Sequence, residues 1–189
     1  METEKFMPPH ADLLLEERIL KAAQRLWRTR GEPGLTLRAV AKESGSTTPT
    51  VYKRFRNKEA LRKALAERIR SQMNEYLFAS QSLEDVCRRY LRFVEEHPHE
   101  YQLLLHAWSD VFNPELPRPG RAWLLGQFAS RFGGQAEHYS RVVYALLLLS
   151  HGSATLLSIP GEEIARKEVH RAFLEIADRL IANNQVLKD

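Results

Sequence analysis

Almost throughout the chain, apolar residues recur three and four positions apart, and no stretch sustains an alternation of apolar and polar residues. The first spacing lines one face of an α-helix and the second would line a strand, so the pattern predicts an all-α fold. Leu15, Ile19, Ala22, Ala23, Leu26 and Trp27 make one stripe, closed by Gly31 and the Pro33-Gly34 pair. Thr36 is placed to cap a short helix, LRAVAKES, with Leu37, Val40 and Ala41 on its buried face and Gly45 as its left-handed stop. A third short helix is expected from about Thr48, with Pro49 in its first turn, where a missing N–H costs nothing. Asn57 is expected to cap a longer helix from Lys58 to about Ala79. Ser82 and Asp85 form a capping box for a helix carrying Leu83, Val86, Cys87, Tyr90, Leu91 and Val94. His97-Pro98 opens the next helix, through Tyr101, Leu104, Leu105 and Trp108, and the proline-rich Asn113–Gly120 reads as a loop. Further helices are expected over about Trp123–Phe132, Glu137–Ser158 and Glu162–Asn183, the last two separated by Pro160-Gly161.

With 189 residues, 43% hydrophobic and 28% charged, the chain can build a substantial core. The opening METEKF lacks a signal-peptide apolar core, and no run of about twenty apolar residues is seen, which predicts a cytoplasmic protein with no membrane partner. Cys87 is the single cysteine, so an internal disulfide and a cysteine metal cluster are both excluded. Charge is distributed unevenly. Residues 1–70 hold sixteen Lys and Arg against nine Asp and Glu, while the remainder is slightly acidic. One end of the chain is therefore suited to a polyanion.

The stretch STTPTVYKRF, Ser46–Phe55, suits that end. Two short helices joined by a glycine turn, with an apolar helix before them, make a helix-turn-helix, whose second short helix enters the major groove of DNA. Thr47, Thr48 and Thr50 offer hydroxyls to phosphates or base edges, and methyls to thymine. Val51 and Phe55, four apart, should face inward, leaving Tyr52, Lys53 and Arg54 on the outer sides. Lys58 opens the next helix, where free amides and the helix dipole add to its attraction for phosphate.

TLRAVAKESGSTTPTVYKRFRNKEAL, Thr36–Leu61, resembles the DNA-binding motif of the TetR family of transcriptional repressors, and ERILKAAQRLWRTRG, Glu17–Gly31, resembles that family's first helix. Ser46 departs from the apolar residue usual there, and Lys53 from a common aromatic or histidine. The resemblance implies nine helices, a DNA-binding domain over 1–57 and a ligand-binding and dimerisation domain over 58–189, with helix 58–79 connecting them. It implies a phosphate contact for Thr36, base contacts for Arg38, Thr48, Pro49 and Thr50, and mainly backbone contacts for Tyr52, Lys53, Arg54 and Lys58. LLLLSHGSATL, in the second half, resembles the His-Gly signature of one TetR C-terminal domain class. The expected activity is that of a ligand-responsive repressor that binds a palindromic operator as a homodimer.

One helix-turn-helix has a small footprint, and pairing doubles it. The last two helices are the candidate interface, with Val142, Leu146, Leu149 and Leu157 on one face and Ile164, Phe173, Leu174, Ile176, Ala177, Leu180 and Ile181 on the other; Gly152, Ser153 and Ala154 are small enough for close approach. Tyr76, Tyr90, Phe93, Tyr101, Trp108, Trp123 and His151 are candidates for a small-molecule effector site, joined by Met73 and Phe128, though aromatic residues at helical spacing more often form a core. His97, His99 and Glu100 place potential metal ligands close together in the sequence, but neither a metal nor a cofactor is expected. Without a phosphate loop, nucleophile elbow or HExxH helix the chain does not read as an enzyme. The alternatives are a helical interaction module or an α-helical enzyme whose basic N-terminal face has another purpose.

Overall fold

The computed structural model describes residues 9–106, 118–158 and 162–187. Among these, regular structure is helical throughout: α1 Pro9–Gly34, α2 Leu37–Glu43, α3 Thr48–Arg54, α4 Lys58–Phe78, α5 Leu83–Glu96, α6 Pro98–His106, α7 Pro119–Phe132, α8 Ser140–Ser158 and α9 Glu163–Ala182, with single 3-10 turns at Ala136–Tyr139 and Asn184–Leu187. Two starts differ from expectation. Helix α7 begins at Pro119, because a proline needs no N–H partner in a first turn, so the end of the proline-rich segment is already helical. The stretch expected to open a helix at Glu137 is a 3-10 turn that leads into α8 at Ser140. The Pro160-Gly161 break lies outside the described residues. The chain forms two compact units, one of Met1–Arg70 with Gln102–Trp108, the other of Ser71–Tyr101 with Ser109–Asp189.

In the first unit, local sequence sets each boundary. Gly31 takes φ +59°, ψ −151°, a conformation that glycine alone reaches without strain, and it breaks α1 before Leu35 turns fully inward. Thr36 caps α2, its Oγ1 accepting from Ala39 N at 3.1 Å. Gly45, at φ +63°, ends α2 in a Schellman motif: Ser46 N donates to Ala41 O at 2.9 Å and Gly45 N to Lys42 O at 3.2 Å. Asn57 Oδ1 accepts from Ala60 N at 2.8 Å and starts α4. The core then closes on Ile19, Ala22, Ala23, Leu35, Val40, Val51, Leu61 and Leu65, all at or near zero exposure. Arg68 on α4 donates to Gln24 Oε1 at 2.9 Å and to Glu17 Oε2, tying α4 to α1. Burial alone would raise the Glu17 carboxyl, but Arg68 and Lys21 outweigh it and hold its pKa below the ordinary value.

In the second unit, α5 buries Leu83, Val86, Cys87, Tyr90, Leu91, Phe93 and Val94 against α7, α8 and α9. Burial pushes the Cys87 thiol up to about 12, so it stays protonated and acts as a small hydrophobe. Phe128 of α7 stacks on Tyr139, ring centroids 5.4 Å apart, and Tyr139 Oη donates to Gly133 O at 2.6 Å. Arg131 Nη1 donates to both carboxylate oxygens of Glu84, at 2.8 and 2.9 Å.

The stretch Ala136–Ser158 is long and apolar enough by itself to cross a membrane, which the sequence reading did not anticipate. Here it is packed against α5, α7 and α9, with Val142, Val143, Leu146, Ser150, Ser153, Ala154 and Leu157 inward. That packing overturns part of the expected interface. Val142, Leu146, Leu157, Phe173, Ala177 and Ile181 belong to the core of the protomer, and Leu149, Leu174 and Leu180 are half-buried. The apolar side chains left facing outward are Tyr144, Leu148 and Leu156 on α8 and Ile164 and Ile176 on α9. Gly152 lies between Leu148 and Leu156 at four-residue spacing, and a Cβ there would meet open space.

Candidate nucleic-acid interface

Helix α3 has only seven residues and cannot hold itself helical, so tertiary packing fixes it. Val51 is fully buried and Phe55, at the C-cap, is 5% exposed, and together they seat α3. The opposite side follows from helix geometry: Thr47, Pro49, Tyr52 and Lys53 are exposed, and Thr48 and Thr50 are half-buried at the edges. Tyr52 stands out, since 53% of a large aromatic residue is left in solvent. Arg38 and Thr36 are exposed on and before α2, and Lys58 is exposed at the start of α4.

Thr47 has a second task. Its Oγ1 accepts from Thr50 N at 3.3 Å as the N-cap of α3 and lies 2.7 Å from Thr50 Oγ1, so the two hydroxyls expected to offer contacts outward are already partners of one another. Of the other first-turn residues, Pro49 is exposed and Thr48 half-buried. Arg18 Nη2 donates to Ser46 Oγ at 3.4 Å, bracing the turn before α3 from α1. Arg54 is half-buried, its Nε 3.2 Å from Glu16 Oε2. Lys58 Nζ lies 3.7 Å from Glu32 Oε1 and 3.3 Å from Glu32 O. Sequence reading missed these acidic partners, which stand 38 and 26 residues away along the chain.

The candidate effector residues separate into small groups. Tyr90 Oη and Tyr101 Oη lie 2.8 Å apart and Tyr101 Oη is 3.0 Å from His151 Nδ1, a chain of three polar groups drawn from α5, α6 and α8. Phe93 packs on His97 with centroids 5.0 Å apart, Trp123 stacks on Phe78 at 4.9 Å, and the Arg89 guanidinium lies 5.2 Å over the Tyr76 ring. Trp108 lies outside the described residues. Met73 is half-buried and Phe128 wholly buried. His97 Nδ1 is 3.0 Å from Glu100 Oε2, and among the described residues no group of three or more metal-ligating side chains forms.

Burial holds the His151 imidazole down to about 4, so it is neutral at ordinary pH. The unfolded chain takes up this proton near 6.5 and the folded chain does not until about pH 4. His151 therefore has no effect on stability above pH 6.5 and removes stability as pH falls from 6.5 towards 4, by up to about 1.4 kcal/mol per pH unit. Chemical denaturation of His151→Gln beside the parent chain is expected to show a shallower acid slope over that interval; equal slopes would mean that the histidine titrates normally.

Residues 19–65 match the family model for bacterial regulatory proteins of the tetR family. No curated protein sequence matches the chain. Among solved structures, a tetR-family transcriptional regulator from Streptomyces coelicolor superposes with a TM-score of 0.66 at 21% identity, covering 90% of this chain and 81% of its own. TetR from Acinetobacter baumannii AYE gives 0.66 at 18% identity, with 90% and 96% covered. The multidrug binding protein EbrR, complexed with imidazole, gives 0.62 at 18% identity, with 95% and 96% covered. At these identities the likeness to the solved structures is one of fold. The family match coincides with α1 from Ile19, α2, α3 and the start of α4, the same segment that carries the outward threonine, tyrosine and lysine side chains.

Proposed function

We propose that this chain, a TetR-family DNA-binding transcriptional regulator, represses transcription by holding a palindromic operator as a homodimer and releasing it when a small molecule occupies the second unit. The observation that carries this reading is α3 itself, anchored by Val51 and Phe55 and displaying Pro49, Tyr52 and Lys53 to solvent on a unit rich in cations. Thr48, Pro49 and Thr50 then meet base edges with Arg38, while Thr36, Tyr52, Lys53, Arg54 and Lys58 grip the sugar–phosphate backbone. Thr47 contributes chiefly by capping α3.

Pairing is supported by the outward apolar face of α8 and α9, where Gly152 occupies mid-helix at a cost of about 1 kcal/mol with nothing of its own protomer to accommodate. A second copy supplies a partner for both features. Effector binding is supported by the fold shared with EbrR, a protein described as binding multiple drugs. The Tyr90–Tyr101–His151 chain offers a neutral hydrogen-bonding edge inside an apolar bundle, suited to an uncharged or aromatic ligand. Such a ligand moves the operator equilibrium only through different affinities for the free and DNA-bound forms.

Selection of bound duplexes from a randomised pool tests the reading: an enriched inverted repeat is expected, and a pool that stays random at low salt would refute it. On the selected duplex, Lys58→Ala is expected to weaken all sequences alike and to lower the salt slope by about 0.9. Arg38→Ala and Thr48→Ala are instead expected to relax preference by about 1–3 kcal/mol at the base each one reads. Equal losses on every sequence for all three variants would contradict that division.

A further inference from the structure

Two of the cations assigned above to the DNA backbone already hold an oxyanion in the DNA-free chain. Arg54 Nε is 3.2 Å from Glu16 Oε2, and both side chains are largely covered, with 25% and 36% exposed. Lys58 Nζ is 3.7 Å from Glu32 Oε1 and is also bonded to the Glu32 carbonyl at 3.3 Å. Glu16 lies in the N-terminal half of α1, and Glu32 just beyond the Gly31 break at its other end, so a single element supplies a carboxylate to the last residue of α3 and to the first residue of α4. In each pair a carboxylate oxygen already lies within reach of a donor that a phosphate oxygen would use.

We infer that Glu16 and Glu32 are positioning residues that stand in for phosphate: they keep Arg54 and Lys58 aimed in the free protein and weaken its hold on duplex DNA of any sequence. The inference rests on the DNA-binding reading above. Engaging a duplex means exchanging two intramolecular ion pairs for two phosphate contacts, with each displaced carboxylate left close to the polyanion. Because that penalty is independent of sequence, it lowers affinity for random and operator DNA by the same factor, and the weaker random sites are the first to fall below saturation.

Binding to a mixed-sequence duplex, followed by fluorescence anisotropy between 50 and 200 mM salt, tests the inference with Glu16→Gln, Glu32→Gln, Arg54→Ala, Lys58→Ala and the doubles Glu16→Gln/Arg54→Ala and Glu32→Gln/Lys58→Ala. Each glutamine variant is expected to bind about twofold to fivefold more tightly, with the salt slope little changed because the same phosphate contacts are made. Glu16→Gln should give the larger gain, since Lys58 keeps its bond to the Glu32 carbonyl. Both gains should vanish when the paired cation is absent. Unchanged affinity in the glutamine variants overturns the inference while leaving DNA binding intact, and so does a gain of equal size in the Arg54→Ala and Lys58→Ala backgrounds, which would reflect net charge alone. A parent chain that retains no duplex would remove the DNA-binding reading itself. Thermal melts of each variant separate these results from loss of fold.

Discussion

Replacing Leu148 and Leu156 together with glutamate is expected to halve the particle mass in solution and to bring operator affinity down to the non-specific level, a loss of roughly a thousandfold or more. Both side chains are exposed in the protomer, at 75% and 56%, so the substitutions should leave the monomer's own stability nearly unchanged. In a dimer they would bury four carboxylates in an apolar contact, and the association cannot repay their desolvation. The loss on DNA follows from geometry, because a lone protomer reaches one half-site only. Sedimentation and duplex titration of the double variant measure both effects. An unchanged mass would exclude the outward face of α8 as the contact between copies.

Phe55→Ala is expected to cost about 3–5 kcal/mol in the first unit and to abolish specific binding with it. The ring is 5% exposed at the C-cap of a seven-residue helix that has little stability of its own, and only Val51 would remain to seat it. Lys53→Ala provides the contrast. Its side chain is in solvent, so stability should move by no more than about 0.5 kcal/mol while duplex affinity falls. Denaturant unfolding gives the first number and anisotropy the second. A Phe55→Ala chain that unfolds at the parent's midpoint would mean that α3 is held by something other than its inward face.

How much of this was legible beforehand depended on the range of the interaction responsible. The caps at Thr36, Asn57 and Ser82 and the stop at Gly45 are decided within four or five residues, and each occurs where the residue types place it. The inward pair Val51 and Phe55 was likewise visible as a four-residue spacing on a short polar helix. Helix α8 carries apolar side chains around most of its circumference, so periodicity could not separate the face that meets α5 and α9 from the face left outside; Leu146 went inward and Leu148 outward. The Tyr90–Tyr101–His151 chain depends on the register of α8 against α6, for which no local signal exists. The holds of Glu16 on Arg54 and Glu32 on Lys58 depend in the same way on how α1 lies against α3 and α4. Charge counting shows that the unit is basic without showing which of its cations are occupied.

The most direct test of paired, outward-facing reading helices is a titration of the purified chain onto two duplexes that carry the selected half-sites, one with native spacing and one with half a helical turn inserted between them. Two copies of α3 fixed on one dimer predict two chains per duplex on the first and a collapse to non-specific affinity on the second. Equal affinity for both spacings, or one chain bound per duplex at saturation, would contradict it.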